Sequence, residues 1–384
     1  MNARAADNFL LKVEAFASDQ LSPNAGAWSM GTAPDPQIFL EAARAGLLGV
    51  EVPEQLGGQG LGFWEKLKAC ETLAAADFGF AMSLVNSHNV AHRLCLSARA
   101  AVRDQYLPKI LEGRSKACTA LTEPGTGSDF AAITTKAVQD GDGWRLTGEK
   151  SWIVNGRDAD VSIVFAQCGE VGEAAGIGAF VVDLNADGVE RYALDSAFSQ
   201  TSIGTGGFRF RDVRLEEECL LLAPGSAFKS ILTEINGARA YVGAMCNGML
   251  RAALREAWAY GKRRRTFNKK LMDHQSWGQA LARAEADLSA SQALVERAGR
   301  LVASGGDAQL AAAEAKVVAV ECSQRHLPEL FHAMGAEGLR ADYCFTRHIA
   351  ASHIASLTDG ATTILRERIA RLSQPRETSH PTRD

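Results

Sequence analysis

The feature that most constrains this chain is a change of periodicity that happens twice. Helical text gives way to strand-like text near Lys116 and returns near Ala227. From Asn8 to about Arg114, apolar residues fall at three and four spacing in NFLLKVEAFASDQL and PQIFLEAARAGLLGV, with GGQGLG at 57 to 62 interrupting as a loop. Between Lys116 and about Leu222 come short alternating or β-rich runs, WRLTGEKSWIVNG, VSIVFAQC, IGAFVVDL and GFRFRDVRL, separated by Gly and Asp turns. Beyond Ala227, long Ala-rich segments studded with Glu and Arg return to helical spacing, and such helices bury one face against each other in a bundle. Three domains are therefore expected, over residues 1–116, 117–224 and 225–384. An α, then β, then α order argues against a doubly wound sheet. No clean G-x-G-x-x-G follows a strand, so a dinucleotide bound here is held by something other than a Rossmann turn.

At 384 residues and 46% hydrophobic content the chain exceeds one core and can fill two or three. Its formal charge of -4 offers no broad basic surface, and Lys262 to Arg265 is the only dense cationic run, so nucleic acid is not an expected partner. The N-terminus has no long apolar stretch and no segment approaches the length of a membrane span, so a soluble cytoplasmic protein with no membrane partner is expected. Eight scattered cysteines with no Cys-x-x-Cys pair read as reduced, buried thiols. His88 and His92 stand at i, i+4, with no Cys or acidic third ligand beside them. The pair is read as helix surface, and no metal is expected.

The segment ALTEPGTGSD at 120 to 129 is followed by Trp152 in GEKSWIVNG. Glu123-Pro124 forces a turn, because proline lacks a donor and pushes its predecessor into an extended conformation. Gly125, Gly127 and Ser128 then give a loop whose N–H groups and hydroxyl can approach a pyrophosphate closely. The plainer alternative is a Gly-rich hairpin turn with an incidental tryptophan.

With these segments in view, the chain resembles the acyl-CoA dehydrogenase family of flavoproteins over nearly its whole length. The resemblance rests on ALTEPGTGSD, GEKSWIVNG, RRRTFNKKLMDHQ at 263 to 275, HAMGAEG at 332 to 338 and TDGATTILRERIAR at 358 to 371. It implies an α+β multidomain fold with an N-terminal helical domain, a middle β-barrel-like domain and a C-terminal four-helix bundle. It also implies FAD. Leu121 and Thr122 would face the flavin's pyrimidine edge, Trp152 would pack beside the ring, and Gly127 and Ser128 would lie near the cofactor. Ser128 would also lie near the thioester's CoA arm. Arg264 falls where the family places an arginine from the neighbouring subunit against the pyrophosphate, which suits its bidentate chemistry. Thr266, Phe267 and Gln275 follow at family positions, as do Ala361 and Thr363. The backbone around His332, Gly335 and Ala336 would close over the cofactor from another subunit, so FAD binding implies a homo-oligomer, dimer or tetramer. Taken one at a time, Arg264 also fits a solvated helix face, Trp152 a core residue and Phe267 a helix-packing residue.

The implied reaction removes an α-proton from an acyl thioester while a β-hydride leaves for flavin N5, which needs a carboxylate base and donors to the carbonyl oxygen. The family's usual glutamate corresponds to Asp359, in Thr358-Asp359-Gly360-Ala361. Aspartate is one methylene shorter, and a misplacement of about 1 Å can cost roughly 100-fold in rate. Asp359 also fits an N-cap of the last helix. The family's second base location, just before Arg239, holds Ala238, and Glu234 reads as a surface helix residue. Val154 stands where a threonine hydroxyl usually bonds N5. With Thr358 and Ala361 in place of Tyr and Thr, the expected substrate is short, branched, cyclic or polar near the reacting carbons, with Arg239, Gly360 and Arg371 beside the CoA cleft.

The leading expectation is thus an FAD-dependent acyl-CoA dehydrogenase in fatty acid metabolism, a homotetramer or a dimer, acting on acyl-CoA or an acyl-carrier-protein thioester. Electrons would pass to an electron-transfer flavoprotein. A second reading keeps the fold and changes the chemistry to a flavin monooxygenase or oxidase. A third is an FAD-holding, non-catalytic partner subunit.

Overall fold

The computed structural model describes residues 3–194 and 200–374; residues 1–2 and 375–384, the outer ends of the expected N- and C-terminal spans, lie outside them. Six helices come first: α1 (Ala3–Phe16), α2 (Ser22–Ser29), α3 (Pro36–Arg44), α4 (Phe63–Ala76), α5 (Phe78–Ser97) and α6 (Ala100–Leu111). Their starts follow from local chemistry. Asp35 accepts from the Gln37 N–H at 2.8 Å with Pro36 at the first helical position, and Asp77 accepts from the Phe80 N–H at 2.7 Å to start α5. Asp77 also receives the Ser202 hydroxyl at 2.6 Å, which ties α5 to a loop 125 residues away in sequence. Asp77→Ala removes both contacts, so a loss of about 1–2 kcal/mol is expected, read as a lower urea midpoint.

Eight strands follow: β1 (Ala117–Ala120), β2 (Lys136–Asp140), β3 (Gly143–Ile153), β4 (Val161–Gln167), β5 (Ile177–Asp183), β6 (Val189–Ala193), β7 (Gly206–Glu216) and β8 (Leu220–Leu222). They form one sheet in the order β6-β7-β3-β2-β4-β5-β8, with β1 pairing parallel to β4. Leu146 of β3, Val164 of β4, Phe180 of β5 and Phe208 and Phe210 of β7 share one buried cluster. The Trp144 ring of β3 lies 5.2 Å from that of Phe180 although their strands are not neighbours. The sheet therefore wraps around a single interior, which is the barrel-like form expected. Its other face packs on α5 and α6 through Val90, Leu94, Val102 and Ile110.

The bundle consists of α7 (Ala227–Arg263), α8 (Gln275–Ala303), α9 (Gln309–Met334) and α10 (Phe345–Leu357), with α11 (Thr362–Leu372) laid against α9. A two-residue hairpin pairing β9 (Arg265–Thr266) with β10 (Lys269–Lys270) separates α7 from α8. The largest core joins α1, α4 and α5 to α7 and α9, so the N-terminal helices and the bundle share one interior. Where α7 crosses α4, a Cβ at Gly248 would collide with the Glu71 carbonyl, and glycine permits the approach.

One expectation is corrected. His88 is 1% exposed, because Glu51, from the segment after α3, folds over it at 3.1 Å and reaches His92 at 3.7 Å. The helix-surface reading missed an acid distant in sequence. The cysteines are all free, five buried and three half-buried. Among the described residues, no helix is long and apolar enough to cross a membrane.

Candidate functional site

The sequence-derived candidates fall into three sets. The first is the Gly-rich loop and the end of β3. Glu123 and Thr126 exchange backbone hydrogen bonds of 2.9 and 3.1 Å, closing the turn that Pro124 starts. Lys150, wholly buried on β3, donates to the Leu121 carbonyl at 2.9 Å and to Glu123 at 2.8 Å. Glu123 also accepts from the Thr134 N–H, the Thr134 hydroxyl and the Thr135 N–H at 2.8, 2.7 and 2.9 Å. Burial pushes its carboxyl up, but Lys150 and these donors outweigh burial and bring it down to about 2. The loop is thereby riveted to β3, and the Ser151 N–H adds a bond to the Thr122 carbonyl at 3.0 Å.

Beyond that rivet the loop is open. Gly127 and Ser128 are exposed, Leu121 and Thr122 are half-buried, and a Cβ at Gly125 or Gly127 would meet nothing within 4 Å. Trp152 is 58% exposed and has a φ of +58°, a conformation that bulky residues adopt only where their surroundings impose it. The next turn supplies that support. Asn155 donates to the Ser83 and Ala117 carbonyls at 2.9 and 3.0 Å and accepts from the Ser83 hydroxyl at 2.6 Å. The core alternative for Trp152 is therefore excluded. Val154, between them, packs on the cluster that holds Ala238 and Tyr241 of α7.

The second set is the turn between α10 and α11. Asp359 takes a φ of +52° and Gly360 one of +100°. The N-cap of α11 is Ala361, two residues further on, so Asp359 does not start the helix and its carboxylate is not spent on capping. Arg239, 6% exposed on α7, donates from Nε to the Asp359 carbonyl at 3.2 Å and from Nη1 to Asn236 at 3.0 Å. Lys316, wholly buried on α9, donates to the Thr358 carbonyl and, at 2.5 Å, to that of Gly360. Burial pushes the Asp359 carboxyl above its ordinary value, while Lys316 and Arg239 draw it back. Thr363 and Arg371 lie on the exposed side of α11. Glu234, five residues before Arg239, is ion-paired with Arg93 of α5.

The third set lies at the far end of α7. Arg264 ends the helix and is exposed, and Thr266 bonds His274 through its hydroxyl at 2.9 Å just before Gln275 opens α8. Phe267 and Asn268 both have positive φ, the geometry of a two-residue hairpin turn, and Phe267 is 92% exposed at its tip. The helix-packing alternative for Phe267 is excluded. His332, Gly335 and Ala336 are exposed at the end of α9, tied to α8 by the Trp277 indole on the Ala333 carbonyl at 3.1 Å.

Helix α7 is common to the first two sets and holds the third away from them. From Arg239 to Arg263 it runs unbroken for 25 residues, a rise of about 36 Å at about 1.5 Å per step. Sequence reasoning missed Lys150, Asn155 and Lys316. For Lys316 a signal existed: it is a lone cation among Ala312, Ala315, Ala319 and Val320, on the buried stripe of an Ala-rich helix.

Three family models match consecutive parts of the chain: the acyl-CoA dehydrogenase N-terminal domain over residues 5–114, the middle domain over 118–213 and the C-terminal domain over 225–373. Isobutyryl-CoA dehydrogenase of Dictyostelium discoideum is 27% identical over 358 residues, covering 93% of this chain and 86% of the relative. The butyryl-CoA dehydrogenase structure from Megasphaera elsdenii superimposes with a TM-score of 0.90 at 27% identity, covering 96% of this chain and 97% of that one. A structure from work on the electron transferring flavoprotein of Acidaminococcus fermentans gives a TM-score of 0.91 at 27% identity, covering 98% and 99%. An FAD-dependent oxidoreductase is the class that these matches and the architecture define. The chain belongs to the acyl-CoA dehydrogenase family, and FAD is its cofactor. The residues fit that group, for the loop offers open glycine backbone and Trp152 an exposed indole beside it.

Proposed function

We propose that the chain catalyses α,β-dehydrogenation of a short, branched or cyclic acyl-CoA, with Asp359 as the α-proton base. The observation that carries this reading is the Asp359 turn: a carboxylate free of capping duty, held in a left-handed backbone conformation by two buried cations on neighbouring carbonyls. A general base works best when its pKa approaches the working pH, and burial pushes Asp359 in that direction. FAD, when bound, would supply the hydride acceptor. Around it, Leu121, Thr122, Gly127 and Ser128 hold the loop backbone toward the cofactor, and Trp152 offers its indole as a wall. The likeness to isobutyryl- and butyryl-CoA dehydrogenases supports a short acyl group.

A homo-oligomer completes the cofactor site in this reading. Arg264 and Phe267 beyond the end of α7, and His332, Gly335 and Ala336 at the end of α9, lie at the far end of the bundle from their own loop, so a second copy would bring them. The electron acceptor would be an electron-transfer flavoprotein and the compartment cytoplasmic, with domain boundaries near 116 and 224. Anaerobic titration of the FAD-loaded protein with short, branched, cyclic and aromatic acyl-CoAs tests the reading. Bleaching of the flavin by at least one short or branched member is expected. No bleaching by any member would overturn it, and a detectable oxygen adduct of the reduced flavin would favour monooxygenation instead.

A further inference from the structure

Lys316 is 0% exposed, and the geometry around it is unusual for a lysine. A buried ammonium normally needs a carboxylate against it. Its hydrogen bonds here go to two backbone carbonyls, Thr358 and Gly360, one on each side of Asp359. The carbonyl between them, that of Asp359 itself, is taken by Arg239. Three consecutive carbonyls are thus held by two buried cations from two different helices. Such a grip fixes the direction of the Cα–Cβ bond at position 359, because the peptide planes on either side of that carbon cannot rotate independently. Aspartate tolerates positive φ better than most residues with a Cβ, and this clamp holds position 359 in that conformation.

The clamp also answers the question of charge. The group that opposes the cost of burying Lys316 is the Asp359 carboxylate, its strongest electrostatic attraction, and burial still draws the ammonium down to about 8. Arg239 is the other cation facing Asp359, and Cys246 of α7 also faces Lys316. Packing on the opposite side of the turn is apolar, with Leu365 of α11 seated on Ala313 and Val317 of α9.

We propose that Lys316 is a positioning residue for proton abstraction: through the Thr358 and Gly360 carbonyls it aims the Asp359 carboxylate. This rests on the reading of Asp359 as base. It explains how a base one methylene shorter than glutamate can be placed by main-chain geometry alone.

The test compares Lys316→Met, Lys316→Gln and Asp359→Asn as FAD-loaded proteins, with isobutyryl-CoA and butyryl-CoA as probes. Three quantities are read: flavin content, the anaerobic bleaching rate as a function of substrate concentration, and exchange of the substrate α-hydrogen with D2O. For Lys316→Met, flavin content and the half-saturating concentration are expected to stay within about twofold of the parent. The saturating bleaching rate and the α-exchange should both fall roughly 100-fold, the cost of about 1 Å of misplacement. Lys316→Gln, which retains a donor for one carbonyl, should fall between. A purely structural lysine would lower the yield of FAD-loaded protein while leaving the loaded fraction at parental rate, and that result overturns the proposal. If Lys316→Met yields no loaded protein, the rate of Lys316→Gln decides by the same criterion. Parental rates in Asp359→Asn would overturn the base itself. Loss in Asp359→Asn with parental rates in both Lys316 variants would overturn only the role of Lys316.

Discussion

Asp359→Asn is expected to keep FAD bound and the protein folded while lowering flavin reduction by acyl-CoA by a factor of 10² to 10⁴, roughly the share that a positioned general base contributes. The substitution is clean for a reason specific to this turn. Position 359 has a φ of +52°, and Asn shares with Asp a tolerance for that region. Its volume is nearly unchanged, and the carbonyl that Arg239 grips stays in place. The ability to take a proton is removed, together with the negative charge that faces Lys316 and Arg239. Asp359→Glu separates reach from basicity: it restores the longer arm but places a side chain that favours helical φ in a left-handed turn. The measurement is the anaerobic bleaching rate at saturating substrate, and a rate in Asp359→Asn within a factor of two of the parent excludes Asp359 as the base.

The second large effect is expected at the rivet beneath the Gly-rich loop. Lys150→Met leaves Glu123 at 4% exposure without its ammonium partner, and removing one member of a buried pair costs about 3–5 kcal/mol. The Leu121 carbonyl loses its donor as well. A lower urea midpoint and weaker FAD retention should appear together, because the same lysine holds both the loop and the strand. Adding Glu123→Leu should recover part of the lost stability, since the stranded charge disappears, without restoring FAD retention. Equal destabilisation in the single and double variants would show that the ion pair is not the source.

The order of the domains was legible because each domain has its own periodicity: β7 keeps the alternation expected of GFRFRDVRL, whereas VSIVFAQ in β4 is buried along its whole length. The Gly-rich loop and Trp152 were legible for a different reason. Residues without a role in packing, standing exposed beside β3, leave a composition that a core would not choose. What sequence reading could not supply is what long-range pairing supplies. Glu51 reaches His88 across 37 residues and reverses its surface reading, and Lys150 finds Glu123 across 27. Lys316 lies 42 residues from the carbonyl of Thr358, so its place against the base turn depends on how α9 meets α10 and α11. No local window contains both partners of such a contact.

The grip of Lys316 and Arg239 on the Asp359 turn is made entirely through main-chain oxygens. Apart from the Asp359 carboxylate that faces Lys316, a scaffold of that kind does not depend on which side chains the turn carries. Neighbouring positions such as Thr358 and Ala361 are then free to drift, reshaping the space around a reacting acyl group while the base keeps its aim. Substrate preference and proton transfer are in this way separable under mutation, and a lineage can retune the first without rebuilding the second.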